Sequence, residues 1–96
     1  MIPKNNIWIF IGNGAVFPSG AFTEKKVAEK WIETNKLSGM LSAMPVNQGL
    51  FDWGCENNAF SMKPEKLEEK KNDPRFIADC TTASLEHDHY IDGFKD

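Results

Sequence analysis

Five consecutive residues, Ile7-Trp8-Ile9-Phe10-Ile11, carry no polar side chain beyond the indole N–H. β-Branched and aromatic residues at every position favour a strand. A strand apolar on both sides has to be covered on both faces, or nearly so. Gly12-Asn13-Gly14 follows at once, and these residue types tolerate positive φ. The spacing therefore predicts a hairpin whose second strand resumes at Ala15-Val16-Phe17. Pro18-Ser19-Gly20 is a second turn signal, after which Ala21-Phe22 leads into a helix over 23–36. There Val27, Ala28, Trp31 and Ile32 form one apolar stripe, with Lys25, Glu29, Lys30 and Glu33 largely outside it. Thr23 is the expected N-cap and Glu24 suits the positive helix start. Asn35 and Lys36, shortly before Gly39, mark the exit.

Met40-Leu41-Ser42-Ala43-Met44 reads as a strand stopped by Pro45. Over 48–58 either a strand or a helix fits, and the spacing of Leu50, Trp53, Gly54 and Asn57 without β-branched residues favours a helix. Gly54 inside it costs about 1 kcal/mol relative to Ala, so close packing is expected there. Residues 63–74 change composition: the Pro64–Lys71 run holds one apolar residue, Leu67, and reads as an exposed charged loop or a short helix opened by Pro64. Phe76 to Thr82 is a predicted strand, and a last strand spans Glu86 to Ile91 before Asp92-Gly93. The order β-β-α-β-(α)-β-β describes one α+β domain over 1–96. Its small antiparallel or mixed sheet carries one main helix, that of Trp31, on one face.

Net charge is −3, and of the eleven basic residues only Arg75 is an arginine. A nucleic-acid binder needs a basic stripe and favours arginine, so that class is excluded. An acidic surface suits a basic protein partner instead. No apolar run approaches the roughly 20 residues of a membrane span. Met1-Ile2-Pro3-Lys4-Asn5-Asn6 has neither the basic start nor the cleavage site of a signal peptide, so a cytoplasmic location is the expectation. Cys55 and Cys80 have no metal or redox spacing and are expected as reduced, packed thiols.

Four constellations bear on chemistry. His87 and His89, two apart on a strand, share one face with Asp88 opposite. Two imidazoles can open a zinc site, but zinc needs a third or fourth ligand, for which Asp79, Asp52 or Cys55 are candidates. The plainer expectation is a strand with two polar side chains on one face. Either cysteine could meet an imidazole as nucleophile and base, yet no elbow motif accompanies a nucleophile and the thiols read as structural. Gly12-Asn13-Gly14 lacks the third glycine of a dinucleotide loop and the Lys-Ser/Thr of a P-loop. Asp52 and Glu56, at i and i+4, flank Trp53 with Phe60 close by; an aromatic rimmed by carboxylates has the look of a protein-binding hot spot.

Three segments carry a resemblance. Ile7-Trp8-Ile9-Phe10-Ile11-Gly12 runs through Phe17-Pro18-Ser19-Gly20-Ala21-Phe22 into the helix of Trp31-Ile32. Leu37-Ser38-Gly39 and Pro45-Val46 lead to Gly49-Leu50-Phe51-Asp52-Trp53. Glu86-His87-Asp88-His89-Tyr90 closes with Asp92-Gly93. Together they resemble a family of small bacterial proteins of unknown function over most of residues 7–93, departing mainly in the lysine-rich 63–74. The resemblance implies a bacterial, single-domain, cytoplasmic protein and supplies no activity or cofactor. The resulting expectation is a non-enzymatic, protein-binding domain. In its most concrete form it is an immunity protein that occludes the active site of a basic bacterial toxin through Asp52, Trp53, Glu56 and Phe60, an analogy of size and charge. The alternatives are a zinc- or ligand-binding protein centred on His87 and His89, and a subunit of a homodimer or larger homo-oligomer.

Overall fold

The computed structural model describes residues 2–82 and 85–96. Five strands form one sheet in the order β2-β1-β3-β4-β5: β1 is Asn6–Gly12, β2 Gly20–Phe22, β3 Gly39–Pro45, β4 His87–Ile91 and β5 Phe94–Lys95. All four pairings are antiparallel. The fold is thus α+β, with the apolar run of β1 placed between β2 and β3. Alternation along the strands sends Trp8 and Phe10, Leu41 and Ala43, and Tyr90 to one face. Helix α1, Lys25–Thr34, lays Ala28 and Ile32 on that face, and Phe22, Trp31 and Leu37 close the edges of the core. Trp31 meets Phe10 edge-on at 5.6 Å and Phe22 at 5.3 Å between ring centres. Phe10, Ile32 and Leu41 are fully buried, each contributing about 1.5–3 kcal/mol of transfer free energy.

Two local expectations at this end need correction. The chain does turn at Gly12–Ala15, with Ala15 N–H donating to the Gly12 carbonyl at 3.0 Å and Gly14 at φ 77°. It does not rejoin β1 at Ala15-Val16-Phe17. Pairing resumes only when Ser19 N–H donates to the Phe10 carbonyl, because Pro18 has no N–H to give a ladder. Val16 and Phe17 are left 83% and 78% exposed. The helix is capped by the backbone of Glu24 rather than by a Thr23 side chain. It ends where Lys36 takes φ 53°: Lys36 N–H donates to the Glu33 carbonyl and Leu37 N–H to that of Ile32. That is a Schellman closure with lysine in the position that favours glycine.

The other end departs further. Beside α1 there are three short helices, α2 (Leu50–Glu56), α3 (Pro64–Lys70) and α4 (Pro74–Ala78), so the order is β-β-α-β-α-α-α-β-β. The helix favoured over 48–58 forms, and the charged 63–74 segment contains an exposed helix with Pro64 in its first turn. The strand expected over 76–82 is absent: Asp73 Oδ1 accepts from Arg75 and Phe76 N–H at 3.1 and 3.2 Å, and Pro74 sits in the first turn of a helix instead. Phe51, Phe60 and Phe76 form a second aromatic cluster, with ring centres 5.5 to 6.3 Å apart. Phe60 lies on Gly54, where a Cβ would come within 2.5 Å of its ring; this is the close packing the helical glycine required. After β4, Asp92 and Gly93, both at positive φ (50° and 93°), return the chain as β5, a two-residue turn of the type that hairpins favour. Two cores side by side make the molecule long, 46 × 27 × 21 Å.

Candidate functional site

The face of the sheet turned away from α1 carries Ile7, Ile9 and Ile11 from β1, Met40, Ser42 and Met44 from β3, and His87, His89 and Ile91 from β4. The register sets Ile11, Met40 and His89 in one row across three strands, and Ile9, Ser42 and His87 in the next. Coverage is partial. The segment after α4 crosses this face near its middle, where the buried Ser42 Oγ lies 3.1 Å from Thr82 Oγ1. On the β1 side of that crossing a largely apolar groove of about 430 Å³ stays open, lined by Ile9, Ile11, Pro18, Met40, Met44 and Leu50. The exposed Val16 and Phe17 immediately precede Pro18 at its edge. A strand apolar on both sides signals this need for cover; nothing in the sequence shows that the cover would be incomplete.

The histidines share a face, as their spacing requires. Their ring centres are 5.4 Å apart at an interplanar angle of 86°. His87 Nδ1 is 2.8 Å from the Leu85 carbonyl. A carbonyl oxygen only accepts, so Nδ1 carries a proton, and in the neutral ring the lone pair is on Nε2. Among the described residues no group of three or more His, Cys, Asp and Glu side chains is arranged to hold a metal ion. Asp79, Asp52 and Cys55 therefore do not complete a zinc site.

The acidic face on α2 is split. Asp52 and Glu56 are exposed, and Glu56 accepts from the Gln48 side-chain amide. Trp53 is only 6% exposed, so its indole is core and not part of a surface. Phe60 is half-buried against Gly54 and Phe51. The helical period explains this: Trp53 and Gly54 face inward with Leu50, while Asp52 and Glu56 turn outward. Cys55 and Cys80 are free and half-buried. Cys80 Sγ donates to the Phe76 carbonyl at 3.4 Å, and burial pushes its thiol pKa up, the opposite of an activated nucleophile. Beside it, between α2 and α4, lies a cavity of about 260 Å³ bordered by Trp53, Phe60 and Phe76.

A polar network that the sequence did not reveal joins α1 to β4 and β5. Tyr90 donates to Glu29 Oε2 at 2.6 Å, and Lys95 Nζ lies 3.3 Å from the same oxygen. Lys25 Nζ is 2.7 Å from Asp88 Oδ2 and 5.1 Å from the centre of the Trp8 ring. That buried oxygen pairs with charge but has no aligned hydrogen bond. The Tyr90 hydroxyl holds the Glu29 carboxyl below its ordinary range, and Lys25 does the same for Asp88. Burial, with Glu29 alongside, raises Tyr90; Glu29 and Asp88 raise Lys95. Each group is pushed further into the charge state it already holds near neutral pH. A general acid or base needs the reverse, so the network is a clamp between elements.

Fold and site thus define an α+β protein with one packed and one half-open sheet face. The chain belongs to the family described as a domain of unknown function (DUF7710), which it matches over residues 7–96. No curated protein and no solved structure matches it. Among the described residues no helix is long and apolar enough to cross a membrane.

Proposed function

We propose that the chain is a protein-binding domain that docks its partner on the groove of the half-open sheet face and the Val16-Phe17 loop. The observation that carries this reading is the exposure of Val16 and Phe17 beside an apolar groove. Two large apolar side chains held out at a loop tip next to unfilled apolar surface are the composition of an interface core. The total accessible surface, 6664 Å², exceeds by about 1,000 Å² what a compact chain of this mass exposes. In this reading the chain performs no reaction.

The concrete form of the reading is an immunity protein that occludes the active site of a basic bacterial toxin. Its support is the net charge of −3 and the outward carboxylates of Asp52 and Glu56. The aromatic anchor passes from Trp53 to Phe17. The test is affinity capture from the native cell with the wild-type chain and with Val16→Asp/Phe17→Asp, followed by titration of the recombinant partner. A stoichiometric partner lost by the loop variant is the expected result; equal capture by both removes this surface. If the partner is a basic toxin, Asp52→Lys/Glu56→Lys weakens binding at least tenfold and flattens its salt dependence.

A further inference from the structure

The two imidazoles on β4 and the methionine across from them have a chemistry that protein docking does not use. We propose that His87, His89 and Met40 form a binding site for one copper(I) ion. A first-row metal bound to an imidazole nitrogen at about 2.0–2.1 Å lies about 3.2 Å from the ring centre. With a nitrogen of each ring aimed at one ion, ring centres 5.4 Å apart subtend about 115° at it, between the tetrahedral and trigonal angles. His87 is already prepared: Nδ1–H is tied to the Leu85 carbonyl, the outer-shell anchor that metal-bound histidines use, leaving Nε2 as the ligand atom. His89 is exposed.

The third donor fixes the metal. Met40 is the direct cross-strand partner of His89, which places their Cβ atoms about 4.5–5.5 Å apart on one face. Its thioether is soft and uncharged, a ligand for copper(I) and not for the harder divalent ions. Among the described residues no third His, Cys, Asp or Glu joins the pair in a metal-holding group, and zinc sites take at least three such ligands. Ile11 and Ile91 flank the set on the same face. Three neutral donors beside apolar side chains suit a single positive charge, because the desolvation cost of an ion grows with the square of its charge. Met40 also lines the docking groove, but the site does not rest on the docking reading, and its test reads metal rather than partner.

The test is anaerobic titration of the full chain with copper(I), read by competition with a chromophoric copper(I) chelator. One equivalent bound per chain is expected, weakened at least tenfold by His87→Ala, by His89→Ala and by the near-isosteric Met40→Leu. Binding persists in Cys55→Ser/Cys80→Ser, since the thiols are not the ligands. Silver(I), a redox-silent stand-in, should shift the ring resonances of both histidines and the methyl resonance of Met40 in the wild-type chain, a readout independent of whether any variant folds. Copper(I) left wholly with the chelator, binding that disappears with the cysteines, or an unchanged Met40→Leu affinity overturns the assignment.

Discussion

The phenol of Tyr90 reaches Glu29 Oε2 across 2.6 Å and so ties the end of β4 to the middle of α1, sixty-one residues away in sequence. Tyr90 is 3% exposed, so its hydroxyl has little access to water in place of Glu29. Tyr90→Phe should lower the unfolding free energy by about 1–2 kcal/mol in chemical denaturation, the range for a hydrogen bond to a partly solvated charged acceptor. An unchanged midpoint would show that this hydrogen bond adds nothing net to the docking of α1.

The same clamp sets the acid response. Glu29 and Asp88 have folded pKa values below their ordinary 4.5 and 3.8. Their contribution is complete above about pH 4.5 and is lost as pH falls through the lowered values, because the unfolded chain then takes up the protons first. Tyr90 works at the opposite end: with its folded value raised above 10, its contribution is complete below pH 10 and fades as pH rises beyond it. Thermal midpoints should be flat from about pH 5 to 9 as far as these groups set them, and Glu29→Gln should flatten the acid limb.

Lys36 closes α1 in the left-handed region at φ 53°, where a side chain costs about 1 kcal/mol and glycine costs little. Lys36→Gly should therefore raise stability by about 0.5–1 kcal/mol, net of the extra freedom glycine gives the unfolded chain. A decrease would indicate that the lysine side chain contributes contacts that outweigh the backbone strain.

At Gly54 two effects compete. Alanine is favoured in a helix by about 1 kcal/mol. Its methyl would come within 2.5 Å of Phe60 Cε2 and 2.9 Å of Cζ, and that ring is held in turn by Phe51 and Phe76. Overpacking of this kind costs about 1–3 kcal/mol, so Gly54→Ala should be destabilising. In the Phe60→Leu background, with the ring gone, the same change should become neutral or favourable.

Much of the sheet and α1 was legible because their signals are periodic and local: the apolar run of β1, the stripe of Val27, Ala28, Trp31 and Ile32, and the Pro45 stop. The errors share one cause, backbone hydrogen bonding that a residue's apolarity does not report. Phe76-Ile77-Ala78 looks like a strand until Asp73 and Pro74 are read as a helix start. Ala15-Val16-Phe17 looks like a returning strand until Pro18 is seen to interrupt the ladder. At the candidate sites, the shared face of His87 and His89 followed from a period of two. The partnership of Met40 with His89 needed the β3–β4 register, and the burial of Trp53 needed the orientation of α2. Both depend on contacts distant in sequence.

The sheet terminates on one side in three residues of β2 and on the other in two of β5. Such stubs leave few amide groups for another chain to extend, which is how natural proteins discourage edge-to-edge aggregation and fibre growth. A second polypeptide meeting this molecule must consequently be recognised through shape and side-chain chemistry, with almost no help from main-chain addition.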